Sequence, residues 1–251
     1  MERFGKVMSK QLVLTEGLKK LDISYSETQL SKILEFFEYL TFKNTQVNLM
    51  SKRDLERWDE FAKRHVLDSL SVIPAIRKSI GMEDISMLDV GSGAGFPGLP
   101  IKLFFPNLTT YFLEATKKKV DFINEACKEF DLRNSATIWG RAEILGHDSS
   151  HRGMHDVVIS RAVAPLRTLL ELTLPFCRLG GIVIAMKGKK AIYECAESSD
   201  ALLKLGGDIE TVIKVSQLLP HSEGELVVIK KTKETPDEYP RRPGLPQKNP
   251  Y

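Results

Sequence analysis

The sequence predicts an α/β protein with a doubly wound, mostly parallel sheet, an antiparallel last strand and a helical N-terminal extension. Three observations support this prediction. From Ser86 onward, short apolar runs alternate with segments of helical periodicity, as βαβ units require. A glycine-rich stretch directly follows the first of these strands. The connection between the last two strands is too short for a parallel crossover.

The composition is that of a globular protein. The 251 residues are 42% hydrophobic and 27% charged, with a formal net charge of +3. This mild positive charge neither requires nor excludes a polyanionic partner. The apolar runs are too short to span a bilayer, and the N-terminus lacks the apolar core of a secretory signal. The 3 cysteines form no CxxC pair, so we expect a cytoplasmic protein with reduced thiols.

Residues 1–80 are predicted to be a helical extension. Ser26 and Gln29 match a capping box, and apolar residues follow at helical spacing. A second apolar stripe begins at Phe61 and is expected to end at Pro74. No strand pattern occurs in this region, which therefore predicts helices alone.

Residues 81–232 are predicted to form the α/β domain. Helical segments separate the first six strands, and Gly180 and Gly181 are expected to end the helix before the fifth. The segment Ser216–Gly224 leaves no room for a helix, so the last two strands should pair antiparallel. The predicted strands are Met87–Val90, Thr109–Leu113, Thr137–Trp139, Val157–Ser160, Ile182–Met186, Glu210–Val215 and Glu225–Lys231.

Residues 233–251 form a proline-rich arm that is predicted to contain neither a helix nor a central strand. Two interpretations stay open at this point. The arm is either a disordered tail or an extended segment that carries Arg241 and Arg242 to a partner.

The stretch Leu88–Pro100, LDVGSGAGFPGLP, is expected to bind a ligand at the carboxyl edge of the sheet. Its alternate glycines permit positive φ angles and leave no Cβ between the backbone and a ligand. Pro97 suits the first turn of the following helix, where an amide donor is not needed. A tight turn that binds nothing is the weaker interpretation, because three alternate glycines exceed what a turn needs.

Two cofactor classes compete for this stretch. Gly93–Gly98 matches GxGxxG, which would indicate a nicotinamide-dependent oxidoreductase. Asp89 favours S-adenosylmethionine instead, because its carboxylate can hold a cofactor ammonium and would repel a pyrophosphate. Gly91 precedes the dinucleotide frame, and Glu143 after the third strand suits adenine recognition. Glu114, after the second strand, can hold ribose hydroxyls in either class.

The motifs GSGAGFPG, FLEATKKKVDFI, GRAE, ISRAVAPL and MKG, in this order, resemble the bacterial small-subunit ribosomal RNA methyltransferase G family, also called glucose-inhibited division protein B. RHVLDSL upstream and YPRRPGLPQKNP downstream match its flanking motifs, so the resemblance covers residues 45–251. It implies a class I S-adenosylmethionine-dependent methyltransferase fold, Rossmann-like and with seven strands. The implied activity is methyl transfer to N7 of one guanine in a 16S rRNA loop. The implied partner is 16S rRNA, the small ribosomal subunit or its assembly intermediate.

The resemblance also implies which residues contact the cofactor. They are Asp89, Gly91, Gly93, Gly95, Phe96, Glu114, Ala115, Thr116, Ala142, Glu143 and Arg161. Many members carry Asp-Ser-Leu where this chain has Glu114, Ala115 and Thr116. Glutamate keeps the carboxylate for the ribose, whereas alanine removes the serine hydroxyl.

Basic residues near the same edge are candidates for holding RNA phosphates or the guanine O6. They are Arg64, Arg161, Arg167, Lys187, Lys189, Lys190, Arg241 and Arg242. A solvated surface charge is the alternative for any one lysine. His65 either caps the substrate pocket or ties the N-terminal helices to the sheet.

No general base is expected, because guanine N7 already holds an in-plane lone pair and methyl transfer needs mainly alignment. Ser160-Arg161-Ala162 contains no cysteine nucleophile and no Pro-Pro turn, which fits a ring-nitrogen target. His147, His151 and His155 are assigned to a loop and not to a metal site. We expect a monomer. A non-catalytic ribosome-assembly factor and a small-molecule methyltransferase remain alternatives. The basic proline-rich arm and the lysines Lys187, Lys189 and Lys190 disfavour the second.

Overall fold

The computed structural model describes the backbone of residues 2–251 and the side chains from residue 11 onward. The N-terminal part is helical, as predicted, and the capping box of Ser26 and Gln29 is confirmed. A π-helical segment, Ala62–Leu67, joins two of its short helices. The helices are α1 Glu2–Lys20, α2 Glu27–Asn44, α3 Lys52–Leu55, α4 Trp58–Phe61, α5 Asp68–Leu70 and α6 Ile73–Ser79.

Pro74 begins a helix and does not end one, so that part of the prediction is wrong. It lies in the first turn of α6. Proline is tolerated there because the amide it lacks would have no partner within the helix.

The described chain contains a seven-stranded sheet in the order β3-β2-β1-β4-β5-β7-β6. The first five strands pair parallel, and β7 pairs antiparallel with both β5 and β6. The predicted fold class and the antiparallel pairing of the last two strands are therefore confirmed. The strands are β1 Ser86–Val90, β2 Thr109–Glu114, β3 Ser135–Trp139, β4 His155–Arg161, β5 Cys177–Lys187, β6 Gly207–Lys214 and β7 Glu225–Lys231.

Helices connect the parallel strands on both faces of the sheet, as the alternation of patterns predicts. They are α7 Gly98–Phe104, α8 Lys117–Glu129, α9 Ala142–Leu145, α10 Leu166–Thr173, α11 Ala191–Ala196 and α12 Ser199–Leu205. None of the described helices is long and apolar enough to cross a membrane.

Gly180 and Gly181 lie within β5 and do not end a helix, which corrects the sequence prediction. The preceding helix ends earlier, at Thr173, and a short 3-10 turn follows it. The register between β4 and β5 shifts between His155 and Val157. Gly180 adopts a φ of +73° at this irregularity, and glycine is the residue that accepts such a bulge without strain.

The C-terminal arm folds back onto its own chain, so neither interpretation from the sequence was complete. It contains a short helix, α13 Leu245–Lys248, with Pro246 in its first turn. The prediction that the arm has no helix is wrong, because proline costs nothing at that position. Tyr239 is buried in the core on this face of the sheet, and the Thr168 hydroxyl donates a hydrogen bond to the Pro246 carbonyl at 3.0 Å.

The N-terminal helices share one hydrophobic core with the sheet. Phe36 and Phe61 pack against Phe96 with ring centroids 6.0 and 5.8 Å apart. The same cluster continues to Phe112 of β2 and Val228 of β7. Burial of this apolar surface fixes the helices on one face of the sheet. They lie beneath residues 91–97, the glycine loop, which joins β1 to α7.

Candidate functional site

The main candidate site is a cavity of about 250 Å³ at the carboxyl edge of β1, β2 and β3. Open α/β sheets bind ligands at this edge, where the strand order reverses. The cavity is lined by Val90, Gly91, Leu113, Glu114, Ala115, Gly140, Arg141, Ala142, Glu143, Val163, Ala164, Thr168, Leu172, Pro246 and Gln247. Five predicted cofactor residues are among them, namely Gly91, Glu114, Ala115, Ala142 and Glu143.

The glycine loop forms the floor between β1 and α7. Gly91, Gly93 and Gly95 all have positive φ, at +74°, +58° and +84°. A Cβ on Gly91 would lie 2.6 Å from Cγ2 of Val163, another residue that lines the cavity. The Gly91 amide donates to the carbonyl of Leu113 at 2.8 Å. The loop is therefore held against the end of β2.

Glu114 organises the loop and its own turn. One carboxylate oxygen accepts from the Gly93 amide at 2.9 Å and the other from the Thr116 amide at 2.7 Å. The side chain is 7% exposed and lines the cavity. A carboxylate has about four lone-pair sites, so acceptor capacity remains for two hydroxyl groups.

Asp89 lies beneath the loop and is fully buried. Its Oδ2 accepts from the Gly98 amide at 2.9 Å, whereas Oδ1 has no hydrogen-bond partner among the described residues. Burial raises the pKa of Asp89 to about 7, although the Gly98 amide opposes that rise. A buried carboxylate oxygen without a donor fits a ligand that brings a positively charged donor of its own.

The remaining six predicted cofactor residues, Asp89 among them, do not line the cavity. Gly93 and Gly95 shape the loop, and Thr116 precedes α8 at its N-cap. Phe96 is packed between Phe36 and Phe61 in the core. Arg161 lies on the far side of the loop, with its guanidinium 5.3 Å from the centre of the Phe96 ring.

The C-terminal arm closes one side of the cavity through Glu143. The Gly244 amide donates to its Oε1 at 3.0 Å, and Arg141 lies 3.3 Å from the same oxygen. Burial pushes the pKa of Glu143 upward, but these hydrogen bonds outweigh it and leave the pKa below its usual value. The carboxylate that the sequence assigns to the adenine side therefore holds the arm, which brings Pro246 and Gln247 to the cavity.

Arg241 is paired within the protein. Its guanidinium lies 2.7 Å from Oε2 of Glu171, whose side chain is 0% exposed, and its amide donates to Oε1 at 2.6 Å. The sequence places Arg241 among the RNA candidates, whereas the structure uses its charge to neutralise a buried carboxylate. Arg242, the next residue, is exposed.

Arg161 is the centre of a second polar cluster beside the glycine loop. Its guanidinium lies 3.5 Å from Oδ2 of Asp68 and donates to Nδ1 of His65 at 3.1 Å and to the Arg64 carbonyl at 3.2 Å. Burial and the neighbouring Arg161 lower the pKa of His65 to about 4, so its ring is neutral and accepts this bond. Burial raises the pKa of Asp68, and Arg161 opposes that rise. His65 thus ties the N-terminal helices to β4.

The other basic candidates differ in how much of their charge is free. Lys187 is held by Glu194 at 2.7 Å and by the Ala164 carbonyl at 2.8 Å. In each remaining pair at least one partner is exposed, namely in Arg64 with Asp54, Arg167 with Glu197 and Lys189 with Glu223. Exposed pairs are worth little in water and exchange readily for a phosphate.

The histidines of the loop after β3 are dispersed. His155 begins β4 and is buried, and His147 contacts the Pro240 carbonyl. In the part of the chain that the structure describes, no group of three or more His, Cys, Asp or Glu side chains is placed to hold a metal ion.

A family model and the two relatives below all carry the same family name. The family model for rRNA small subunit methyltransferase G matches residues 29–222. Ribosomal RNA small subunit methyltransferase G of Pelotomaculum thermopropionicum is 40% identical over 238 residues, which is 94% of this chain and 97% of the relative. The same-named protein of Acetivibrio thermocellus is 36% identical over 245 residues, with 98% of each chain covered.

This chain belongs to the rRNA small subunit methyltransferase G family.

The resemblance inferred from the motifs is thereby confirmed, and the oxidoreductase alternative no longer stands. A solved structure from Pyrococcus horikoshii, described as a transferase, aligns with a TM-score of 0.51 over 66% of this chain and 64% of that one, at 14% identity. That similarity concerns the fold alone.

S-adenosylmethionine, the cofactor of this methyltransferase family member, fits the residues present. A nucleoside that carries an ammonium group matches three features of the site. Gly91 leaves room for it, Glu114 can accept from its hydroxyl groups, and Asp89 has an unpaired oxygen for its ammonium. Ten of the lining residues were not predicted as cofactor contacts, among them Val163, Pro246, Gln247, Thr168 and Leu172. Val163 lies in the ISRAVAPL motif, and Pro246 and Gln247 lie in the downstream motif, so both motifs held the signal. Thr168 and Leu172 line the cavity because α10 packs there, and nothing in the sequence marks them.

Proposed function

We propose that this protein transfers the methyl group of S-adenosylmethionine to N7 of one guanine in the 16S rRNA of the small ribosomal subunit. Family membership supports the reaction class and the ribosomal RNA substrate. The observation that carries the proposal is the position of the Arg161 cluster next to the glycine loop and its cavity. A base held at that cluster lies beside the cofactor.

The roles of the chain's own residues follow from their contacts. Bound S-adenosylmethionine supplies a methyl group made electrophilic by its sulfonium. Glu114 would hold the ribose hydroxyls, Asp89 the ammonium, and the apolar wall of Val163 and Leu172 the adenine. No side chain has to accept a proton, because N7 attacks through a free lone pair. Catalysis then rests on alignment and on the exclusion of water.

Contact with RNA is proposed for the exposed cations at the same edge, above all Arg64 and Arg242. Phosphate contacts of this kind give affinity without sequence preference. Action as a monomer is part of the proposal. A ribosomal RNA substrate supports action in the cytoplasm, which we include in the proposal.

The test is methyl incorporation from labelled S-adenosylmethionine into 16S rRNA and small subunits from a strain that lacks the enzyme. We expect one labelled nucleotide per 16S rRNA, mapped by mass spectrometry to an N7-methylguanine. Tight RNA binding without incorporation would favour a non-catalytic assembly factor. Label on another base or at another ring position would contradict the proposed target atom.

A further inference from the structure

A second cavity, of about 290 Å³, adjoins the cofactor cavity across the end of β4. Arg161 and Ala162 form the wall on that side, and Val163 and Ala164, the next two residues, line the cofactor cavity. Ala162 is held at a φ of +55°, a conformation that non-glycine residues rarely adopt. The residues that line the two cavities on this side are therefore consecutive along the chain at the end of β4.

The cavity combines apolar walls with charged side chains, among them Asp68, Arg161 and Lys187. Met186 and Leu226 line it from the ends of β5 and β7. Two of its carboxylates already have internal roles, because Glu225 accepts from the Ala191 amide and Glu194 from Lys187.

Asp68 contacts Ser222 at 3.1 Å and Arg161 at 3.5 Å. Those two contacts leave lone pairs of Asp68 available to a ligand.

We propose that this cavity receives the target guanine base, with Arg161 donating to O6 and Asp68 accepting from N1–H and the 2-amino group. The inference rests on the proposed function and deepens it, since it names the residues that would select guanine.

The order of groups in the protein matches the order of atoms around the base. Guanine presents N7, O6, N1 and the 2-amino group in sequence along its edge. Arg161 lies against Phe96 of the glycine loop, and Asp68 contacts both Arg161 and Ser222. With N7 at the glycine loop, O6 meets the guanidinium, and N1–H with the 2-amino group meets the carboxylate.

This arrangement explains how N7 chemistry becomes specific for guanine. Adenine also carries N7, so the attacking atom alone does not discriminate between the purines. Adenine would place an amino group against Arg161 and an acceptor nitrogen against Asp68, which leaves buried groups unpaired. Sites that hydrogen-bond one edge reject the mismatched edge strongly for that reason.

The carboxylate also suits the electronic course of the reaction. The N7 lone pair forms the new N–C bond while the C–S bond breaks. The electron pair of the C–S bond stays with sulfur. No proton moves, and the positive charge passes from the sulfonium to the guanine ring. Asp68 lies at the edge of the ring that becomes cationic, so it stabilises the transition state more than the neutral base.

The test uses base analogues at the target position and needs no protein variant. 16S rRNA is assembled by ligation with guanine, inosine, 2-aminopurine or 7-deazaguanine at that nucleotide. It is used free or in reconstituted subunits, whichever form the wild-type enzyme methylates with guanine. We expect inosine, which lacks the 2-amino group, to lower kcat/KM by about 10- to 100-fold. 2-Aminopurine, which lacks O6 and N1–H, should lower it further.

The variant Asp68→Asn then assigns the effect to the side chain. It should lower kcat/KM for guanine by about 100-fold while leaving S-adenosylhomocysteine affinity unchanged. Inosine should cost this variant less than about threefold, because the two changes remove the same contact. Glu223→Gln is the matched control, since it removes an equal charge from the exposed neighbouring loop. It should change kcat less than about twofold.

The outcomes separate the two claims. Methylation of inosine and 2-aminopurine at the guanine rate would overturn the base pocket, and so would additive effects of inosine and Asp68→Asn. If Asp68→Asn fails to fold, the analogue series on the wild-type enzyme decides alone. Methylation of 7-deazaguanine would instead refute N7 as the target, and no methylation of guanine in either substrate form would refute the proposed function itself.

Discussion

Gly91 shows how a single residue shapes the cofactor cavity. It combines a φ of +74° with a hypothetical Cβ position only 2.6 Å from Val163. Gly91→Ala therefore meets both backbone strain and a steric clash at the cavity wall. We expect S-adenosylhomocysteine affinity to fall by about tenfold or more, measured by isothermal titration calorimetry.

Gly81→Ala is the control for that prediction. Gly81 has a similar φ of +82°, but no atom of the residues that the structure describes lies within 4 Å of its Cβ position. It should show the stability cost of the positive φ and leave cofactor affinity unchanged. Equal loss of affinity in both variants would mean that strain, and not the cavity wall, explains the effect at Gly91.

Asp89 gives the site a dependence on pH. Its pKa is raised by burial from 3.8 to about 7, so its neutral form is favoured in the folded protein without cofactor. The contribution of neutral Asp89 to the free energy of unfolding is fully present below about pH 4. It is lost as the pH rises through about 7. The upper bound of that loss is about 4 kcal/mol.

We expect Asp89→Asn to flatten the decline in the free energy of unfolding between pH 4 and 7, measured by urea denaturation. Cofactor affinity should respond in the opposite sense, because the ammonium prefers the ionised carboxylate. Wild-type affinity should rise across pH 6 to 8 relative to the variant. Parallel profiles for the two proteins would show that Asp89 does not face the ammonium.

At the level of elements, the C-terminal arm is part of the cofactor cavity. Arg241 neutralises Glu171, the Gly244 amide bonds Glu143, and Pro246 then lines the cavity. Arg241→Ala leaves a buried carboxylate without its partner, which should cost about 3 kcal/mol of stability. It should also weaken cofactor binding, because the arm would no longer be held in place.

Arg242→Ala is the matched control for the arm. The residue is adjacent, equally charged and exposed, so its loss should leave stability and cofactor affinity unchanged in denaturation and calorimetry. Arg242 is a proposed RNA contact, so its variant should bind 16S rRNA more weakly at low salt. Equal stability of the two variants would contradict a structural role for Arg241.

The π-helical segment Ala62–Leu67 has a comparable role on the opposite side of the site. It carries Arg64 and His65. The Arg64 backbone carbonyl and the His65 ring nitrogen Nδ1 each accept a hydrogen bond from Arg161. π-helical turns are rare and occur often at functional sites. Here the turn connects the N-terminal helices to the proposed base pocket.

At the level of the whole molecule, the N-terminal helices and the sheet should unfold together, since one core joins them. The chain has 2 tryptophans, with Trp58 in α4 and Trp139 at the end of β3. Trp58→Phe and Trp139→Phe each leave one fluorescent reporter. We expect the transition seen by fluorescence in each variant to coincide with its own loss of helical circular dichroism. Separate transitions would instead support an independent N-terminal domain.

Local patterns in the sequence were sufficient for the elements of the sheet and for the glycine loop. Strand and helix periods, the capping box and the short last connection depend on neighbouring residues, and each of these predictions is confirmed. Pro74, Gly180 and the proline-rich arm were misinterpreted. Proline and glycine interrupt a regular pattern, but whether they begin a helix, permit a bulge or turn a chain depends on their neighbours in space.

The sequence by itself determined the fold class, the family and the position of the cofactor loop, because these follow from short-range order along the chain. Only the tertiary structure decided how charges are used. It paired Arg241 with Glu171, turned Glu143 toward the arm and placed Asp68 beside Arg161. The sequence shows which side chains are charged. Which oppositely charged group each one pairs with depends on the groups that folding buries together. Removing a charge from water is tolerated only where folding brings an opposite group within reach.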